Sequence, residues 1–136
     1  MGISGTSVLL LEDQPLIALD IEDVLQDAGY ADVTTISSCE EAEKWLEAHS
    51  PDLVILDIKL RDGDCTNIVD TMKKRRISFL VHSGSERPSG PEAAVFQGAR
   101  WVMKPSTPEI LVRCITACLA ERPGSSSAFR SSPSVP

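Results

Sequence analysis

Short apolar stretches alternate with helical patterns along the chain, and this alternation limits the possible folds most strongly. Leu53–Leu56 reads LVIL, a wholly apolar run of the kind that is buried on both faces in a parallel sheet. Four further strands are predicted at Ser7–Leu11, Asp32–Ile36, residues 79–81 and residues 101–103. Because helical patterns separate these strands, the sequence predicts right-handed βαβ units and one parallel sheet covered by helices on both faces.

Capping signals mark the helices between the strands. Pro15 begins the first helical pattern, and Ser38 with Glu41 three residues later forms a capping box for the second. Thr107 and Pro108 are an N-cap and a proline at the first helical position of the last helix. Of the other two predicted helices, one contains Ile68, Val69 and Met72, and the other spans residues 91–97. A loop is expected around residues 62–63, after the third strand.

Composition indicates one domain with short tails. The chain has 136 residues and is 42% hydrophobic, which is enough for a single core over residues 7–121. Residues 1–6 and the Ser- and Pro-rich residues 122–136 are expected to be disordered. The net charge of -7 argues against direct binding to nucleic acid or to an anionic membrane. With no apparent signal peptide or membrane-spanning run, the expected location is the cytoplasm.

The four cysteines do not suggest a metal site. Cys39, Cys65, Cys114 and Cys118 form no C-x-x-C pair and have no histidines at zinc-ligand spacing. A core of this size needs no disulfide or metal for stability. Cys114 and Cys118 lie four residues apart in an apolar helical pattern, so both are expected to be buried thiols that pack in the core.

Polar residues follow four of the predicted strands where each strand ends. Glu12 and Asp13 come after the first strand, Asp57 ends the third, Ser83 follows the fourth and Lys104 follows the fifth. Each alone fits an ordinary role, as a helix-capping charge, a turn residue or a solvated base. In open parallel sheets, however, the functional crevice lies beyond the carboxyl ends of the strands. The sequence therefore predicts one site that contains three carboxylates, a hydroxyl and a lysine.

This set of residues, in this order and at these intervals, resembles the receiver domain of two-component response regulators, in the CheY-like superfamily. The resemblance covers roughly residues 7–120. It implies a doubly wound α/β fold of the flavodoxin-like (βα)5 type, with five parallel strands in the order 2-1-3-4-5. Residues 12–18 and 79–84 further resemble a subgroup that is often paired with HWE-type histidine kinases.

The resemblance implies a phosphoacceptor that signals and that catalyses only its own phosphorylation and dephosphorylation. Asp57 is then the nucleophile that takes a phosphoryl group from a phosphohistidine. Two anions meet in this transfer, so a divalent cation, Mg²⁺ or Mn²⁺, is expected at the site. By resemblance, Asp13 and Asp57 are its direct ligands, Glu12 acts through water, and the backbone carbonyl of Lys59 is the third protein ligand.

The remaining site residues are also assigned by resemblance. Lys104 would contact a phosphate oxygen, and Pro105 beside it would form a cis peptide bond that aims the lysine. Ser83 would donate a hydrogen bond to the phosphoryl group, and Trp101 would follow it inward as the switch residue. One departure from the usual pattern is residues 85–91 (SERPSGP), where a short, shifted or mobile fourth helix is expected. His49 and His82 are expected to be a helix-end and a strand-end residue.

Three other classes of protein place an aspartate or a phosphate near such a sheet edge. A haloacid-dehalogenase-like phosphatase needs an acid two residues after its nucleophile, where this chain has Lys59. A flavodoxin-like flavin binder needs a phosphate loop after the first strand, where Glu12 and Asp13 would repel the phosphate. A pseudo-receiver that serves only as a binding scaffold remains open and is separated by a phosphorylation assay.

The expected partners are proteins. The phosphodonor would be a sensor histidine kinase or a histidine phosphotransfer protein, and the output would pass to a downstream protein target, with a homodimer possible. About 16 residues follow the last predicted helix, too few for an output domain. The chain would then be a single-domain regulator, a phosphorelay intermediate or sink, or a receiver taken from a longer protein.

Overall fold

The computed structural model describes residues 5–57, 59–60, 63–84, 94–96, 99–104 and 106–121. Within them the chain forms seven strands and four α-helices. The strands are β1 (Ser7–Leu11), β2 (Asp32–Ile36), β3 (Leu53–Leu56), β4 (Lys59–Leu60), β5 (Gly63–Asp64), β6 (Ser78–Ser83) and β7 (Arg100–Met103). The helices are α1 (Pro15–Asp27), α2 (Cys39–Ala48), α3 (Thr66–Arg75) and α4 (Pro108–Ala120).

Five strands form one parallel sheet in the order β2-β1-β3-β6-β7. Counted along the chain without the short ribbon of β4 and β5, this order is 2-1-3-4-5, and the predicted fold class is confirmed. The strand order reverses between β1 and β3, and in sheets of this kind a crevice opens at that point beyond the carboxyl ends. The fold therefore places Glu12, Asp13 and Asp57 beside one another.

Alternate side chains of the strands build two cores. On β1, Leu9 and Leu11 face the cluster that contains residues of α2 and α3, whereas Val8 and Leu10 face the cluster that contains residues of α1 and α4. All four residues of β3 are fully buried because this strand lies at the centre of the sheet with helices on both faces. The apolar run that the sequence places at residues 53–56 is thus explained by burial from both sides.

Local capping fixes where the helices begin and end. The Ser38 side chain accepts a hydrogen bond from the Glu41 backbone N–H, and the Thr107 side chain accepts one from Ile110 N–H, as the two sequence signals predict. The α3 helix ends at Arg75, and its C-cap residue Arg76 adopts the left-handed conformation with φ 59°. Among the described helices, none has the length and apolar character needed to cross a membrane.

Two predicted segments differ from the structure. Residues 59–60 and 63–64, expected in a loop, pair as a two-stranded antiparallel ribbon outside the main sheet. Of the helix predicted at 91–97, residues 94–96 form only a single 3₁₀ turn, and the rest lies outside the described residues. Short pieces of this kind depend on tertiary contacts rather than on sequence periodicity, which explains why both predictions were wrong or incomplete.

The cysteines also differ from expectation. Cys39, the first residue of α2, and Cys65, the N-cap residue of α3, form a disulfide with a Cα–Cα distance of 5.7 Å. They are 26 residues apart in sequence, and the packing of α2 beside α3 brings them together. Cys118 is a buried thiol as predicted, and burial raises its pKa. Cys114 is only half-buried, so the prediction of two buried thiols was wrong for this residue.

Candidate functional site

Backbone hydrogen bonds hold the ends of the strands together at one edge of the sheet. The Asp57 N–H donates to the Leu11 carbonyl at 3.0 Å, which aligns the end of β3 with the end of β1. The Lys104 N–H donates to the Ser83 carbonyl at 2.8 Å, which does the same for β7 and β6. The side chains that follow these strands are therefore held by the sheet itself rather than by a free loop.

Three carboxylates meet at the switch point of the sheet. Glu12, Asp13 and Asp57 each offer an oxygen, and these oxygens lie within 4.8 Å of one another. Glu12 is 3% exposed and Asp57 is 8% exposed, so water screens their charges poorly. Oxygen ligands at this density are the type that Mg²⁺ prefers, so the residues present fit a magnesium ion.

Lys104 forms ion pairs with two of the three carboxylates. Its Nζ lies 2.8 Å from Glu12 Oε1 and 2.7 Å from Asp57 Oδ2, and the side chains of all three residues are largely buried. Burial lowers the pKa of Lys104, but the hydrogen bonds to Asp57 and Glu12 raise it by more, and the net shift is upward. The lysine is therefore a fixed positive charge between the two carboxylates.

Ser83 and Trp101 lie on the adjacent strands β6 and β7. Ser83 is the last residue of β6 and is 2% exposed. Trp101 lies in β7, is partly buried and meets the ring of Phe96 edge to face, with 5.6 Å between the ring centroids. A Cβ atom added at Gly84 would meet nothing within 4 Å, so the described packing leaves open space directly after Ser83.

Several sequence-based assignments cannot be placed in this geometry. Pro105, and with it the expected cis peptide bond, lies outside the described residues, as does the proline-rich segment 85–91. The Lys59 backbone pairs with Asp64 in the β4–β5 ribbon, and the Lys59 side chain lies outside the part of the chain that the structure describes. The roles of Lys59 and Pro105 stay predictions.

His82 is a buried residue whose connection to the site was missed in the sequence. It is 5% exposed, and its Nε2 lies 3.0 Å from Ser106 Oγ, which links β6 to the segment that follows Lys104. Burial lowers the pKa of His82 to about 4, the positive charge of Lys104 acts in the same direction, and the Asp57 carboxylate opposes it. The signal that could have found it is a histidine at an otherwise apolar position of a strand.

The low pKa of His82 predicts a loss of stability in acid. The unfolded chain takes up this proton near pH 6.5 and the folded protein only near pH 4, so the unfolded state binds more protons between these values. Unfolding free energy should therefore fall, by up to about 3 kcal/mol from this group, as the pH drops through that window. Urea denaturation at pH 7 and pH 4 measures the effect. His82→Gln should lose clearly less stability, and an equal loss in both proteins would contradict the assignment.

The fold and the site together define a class of protein: a doubly wound five-stranded α/β domain with an acidic cluster and a lysine at its switch point. The chain matches the model of the response regulator receiver domain over residues 8–116. It therefore belongs to the response regulator receiver domain family, and it is a receiver domain of the two-component type. Its pairing with an HWE-type kinase stays a prediction.

Relatives support this assignment. A putative response regulator from Chloroflexus aurantiacus J-10-fl is 27% identical with a TM-score of 0.74, and the alignment covers 85% of this chain and 98% of that one. A second similar structure is the receiver domain of the sensor histidine kinase PA1611 from Pseudomonas aeruginosa PAO1, solved with magnesium in its active site cleft. It is 23% identical with a TM-score of 0.73, and the alignment covers 86% of this chain and 99% of that one. This second likeness shows the fold alone.

The transcriptional regulatory protein PdtaR of Mycobacterium tuberculosis is similar over a shorter stretch. It is 35% identical over 74 residues, which are 54% of this chain and 36% of PdtaR. The chain thus matches only about a third of the length of this curated relative.

Proposed function

We propose that this receiver domain accepts a phosphoryl group on Asp57 from a phosphohistidine and so switches a protein-interaction surface. The observation that carries the proposal is the Lys104 ammonium group, which lies within 2.8 Å of carboxylate oxygens of both Glu12 and Asp57. A cation held against one aspartate at a sheet switch point supplies positive charge where an incoming phosphoryl group would bring negative charge.

Asp57 acts as the nucleophile. A carboxylate oxygen attacks phosphorus, a P–O bond forms, the P–N bond to the donor imidazole breaks, and the imidazole leaves with its electron pair. Glu12, Asp13 and Asp57, with the carbonyl of Lys59, would hold Mg²⁺ or Mn²⁺, which neutralises charge on the phosphoryl oxygens.

Lys104 and Ser83 hold the phosphorylated state. Lys104 already lies within hydrogen-bond distance of Asp57 and can contact one of the added phosphoryl oxygens. Ser83, at the end of β6, can donate a hydrogen bond from its hydroxyl group to a second phosphoryl oxygen. Contacts to the phosphoryl oxygens form only after phosphorylation, so they supply the free-energy difference between the two states that a switch requires.

A phosphorylation assay tests the proposed function. The chain is incubated with labelled acetyl phosphate and Mg²⁺, or with the same mixture plus EDTA. Label that depends on Mg²⁺ and that hydroxylamine removes is the expected result, because hydroxylamine cleaves acyl phosphates. A folded protein that takes up no label from acetyl phosphate or from a histidine kinase would identify the chain as a binding scaffold instead.

Removing the charge of Asp13 should stabilise the protein when no metal is bound. Within the part of the chain that the structure describes, Asp13 has no ion pair, whereas Glu12 and Asp57 are both paired with Lys104. Asp13→Ala should therefore raise the unfolding free energy in EDTA by about 1 kcal/mol and weaken Mg²⁺ binding. Thermal melts with and without Mg²⁺ measure both effects, and Asp13→Asn controls for the change of shape. A lower metal-free melting temperature for both variants would argue against a crowded acidic centre.

Trp101 should report the switch. If Ser83 moves toward the phosphoryl group, the partly buried indole beside Phe96 moves into a drier environment. Beryllofluoride with Mg²⁺ mimics the acyl phosphate and should shift the emission of Trp101 to shorter wavelength in a Trp45→Phe background, and Ser83→Ala should reduce the shift. An unchanged spectrum, with beryllofluoride binding shown by calorimetry, would mean that Trp101 stays fixed in packing.

The partners and limits of the domain belong to the same proposal. The donor would be a sensor histidine kinase or a histidine phosphotransfer protein in the cytoplasm, and the receiver of the signal would be another protein. The domain would extend over residues 7–121. Its chemistry is confined to its own phosphorylation and dephosphorylation, so it would act as a signalling phosphoacceptor rather than as an enzyme with a separate substrate.

A further inference from the structure

His82 is a buried polar residue on a face of β6 that is otherwise apolar. It lies two residues after Leu80 and pairs in register with Val102, and both of these side chains belong to the core that α1 and α4 cover. Side chains two residues apart in a strand point to the same face, so His82 points toward this core as well. A leucine would fit there without the free-energy cost of burying a polar ring. The histidine therefore points to a use of its polar atoms.

The polar contact of His82 reaches the segment that carries Lys104. The Nε2 atom of His82 lies 3.0 Å from Oγ of Ser106, and both residues line one cleft between α1 and α4 together with Lys104. The Ser83 carbonyl accepts a hydrogen bond from the Lys104 N–H at 2.8 Å. Two neighbouring residues of β6 thus bind the chain at Lys104 itself and two residues beyond it.

These two contacts fix the backbone from which the Lys104 side chain extends. The ammonium group lies 2.8 Å from Glu12 Oε1 and 2.7 Å from Asp57 Oδ2. A lysine ammonium group stands at the end of a flexible four-carbon stem, so its place depends on where the backbone holds the Cα atom. A fixed backbone also lowers the conformational entropy that the lysine loses when it forms both ion pairs.

The ring of His82 suits this task because it is uncharged near pH 7. Burial lowers its pKa to about 4, and the positive charge of Lys104 acts in the same direction. A second cation at this place would repel the ammonium group, and a carboxylate would compete with Glu12 and Asp57 for it. A neutral ring can bind Ser106 without either effect.

We propose that His82 is a positioning residue for Lys104: the hydrogen bond between His82 and Ser106 holds the segment that directs the ammonium group to Asp57. The inference rests on the proposed transfer of a phosphoryl group to Asp57. His82 acts only through Ser106 and Lys104 and provides no ligand to the metal. Its loss should therefore slow phosphoryl transfer without weakening the binding of Mg²⁺.

Substitutions at His82 separate the hydrogen bond from the bulk of the ring. The amide of a glutamine reaches the place of Nε2, whereas that of an asparagine reaches only the place of Nδ1, which is buried and has no hydrogen-bond partner among the described residues. His82→Leu and His82→Asn should slow phosphorylation by acetyl phosphate and Mg²⁺ about tenfold per folded molecule. His82→Gln should restore most of the rate.

His49 provides the matched control. It is the C-cap residue of α2, and its Nδ1 lies 2.8 Å from the Trp45 carbonyl oxygen. His49→Leu removes a histidine and its hydrogen bond away from the site and should leave the rate of phosphorylation unchanged. Circular dichroism gives the folded fraction of each variant, and titration with Mg²⁺ gives its metal affinity.

A combination of substitutions shows whether His82 acts through Lys104. Lys104→Met alone should slow phosphorylation more than His82→Leu does, and His82→Leu added to Lys104→Met should have no further effect. Ser106→Ala should match His82→Leu because each removes the same hydrogen bond, while Ser106→Thr keeps the hydroxyl group and should keep the rate. Losses at His82 and Lys104 that multiply would instead mean that His82 does not act through the lysine.

The position of the lysine can also be measured without a phosphodonor. In ¹H–¹⁵N spectra of the lysine ammonium groups of the full chain in EDTA, the signal that Lys104→Met removes belongs to Lys104. Its protons should exchange with water faster in His82→Leu than in the wild type or in His82→Gln. If the wild type takes up no label, the proposed function fails, while this signal still tests the positioning role.

Two further results would overturn the proposal. The first is an unchanged Lys104 ammonium signal in folded His82→Leu. The second is an equal loss of rate in His82→Leu and His82→Gln, which would assign the effect to the shape of the ring rather than to its hydrogen bond. If His82→Leu does not fold, Ser106→Ala breaks the same hydrogen bond from the other side, and an unchanged ammonium signal in that variant would equally refute the role.

Discussion

Replacing Asp57 with asparagine is expected to abolish phosphoryl uptake. The amide cannot act as the nucleophile, and no other carboxylate in the described part of the chain lies beside Lys104 except Glu12, whose own contacts hold it in place. Labelling by acetyl phosphate with Mg²⁺ should fall by at least two orders of magnitude, as expected when the group that forms the covalent bond is removed.

A matched substitution separates this chemical effect from a general change in charge. Asp70 is an exposed aspartate on α3 that pairs only with Lys74 among the residues described, and Asp70→Asn should keep full labelling. Asp57→Asn should still fold, because asparagine is close in shape and one buried charge is removed. Undiminished labelling of Asp57→Asn would rule out Asp57 as the acceptor.

Replacing Lys104 with methionine is expected to destabilise the metal-free protein by about 3 kcal/mol near pH 7. Glu12 and Asp57 would then be left together with their charges uncompensated, in surroundings where the Glu12 side chain is 1% exposed and that of Asp57 is 11% exposed. Mg²⁺ should restore much of this loss, so the variant should gain more from Mg²⁺ than the wild type does. Urea denaturation in EDTA and in Mg²⁺ measures both effects.

Lys74 provides the control for this prediction. Its ion pair with Asp70 is exposed and joins residues four apart on α3. Such pairs contribute about 0.5 kcal/mol or less, so Lys74→Met should hardly change stability in either buffer. If Lys104→Met were as stable as Lys74→Met without metal, the carboxylates would not depend on the lysine, and the electrostatic account of the site would be wrong.

The main sheet could be predicted because its signals are local. The run at Leu53–Leu56 is apolar throughout since both faces of β3 are covered, and Ser38 and Thr107 each cap a helix with their own side chains. The convergence of Glu12, Asp57 and Lys104 followed from one rule, since parallel strands end at the same edge. Residue types at strand ends were therefore enough to predict that these side chains meet.

The missed features depend on distant contacts. Cys39 and Cys65 meet only because α2 packs beside α3, which spacing along the chain does not reveal. The ribbon of β4 and β5 is two residues long on each side, too short for any periodicity to show. The bond from His82 to Ser106 and the cleft beside it depend on how β6, α1 and α4 pack, and no pattern within one element predicts such a space.

Locating the phosphoryl group in the wild-type protein tests the central claim most directly. The chain is incubated with acetyl phosphate and Mg²⁺, the acyl phosphate is reduced with borohydride, and the peptides are sequenced by mass spectrometry. The proposal predicts homoserine, the product of reduction, at position 57 only, and none when EDTA replaces Mg²⁺. Reduction at another aspartate or glutamate, or an equal yield at position 57 without metal, would contradict it.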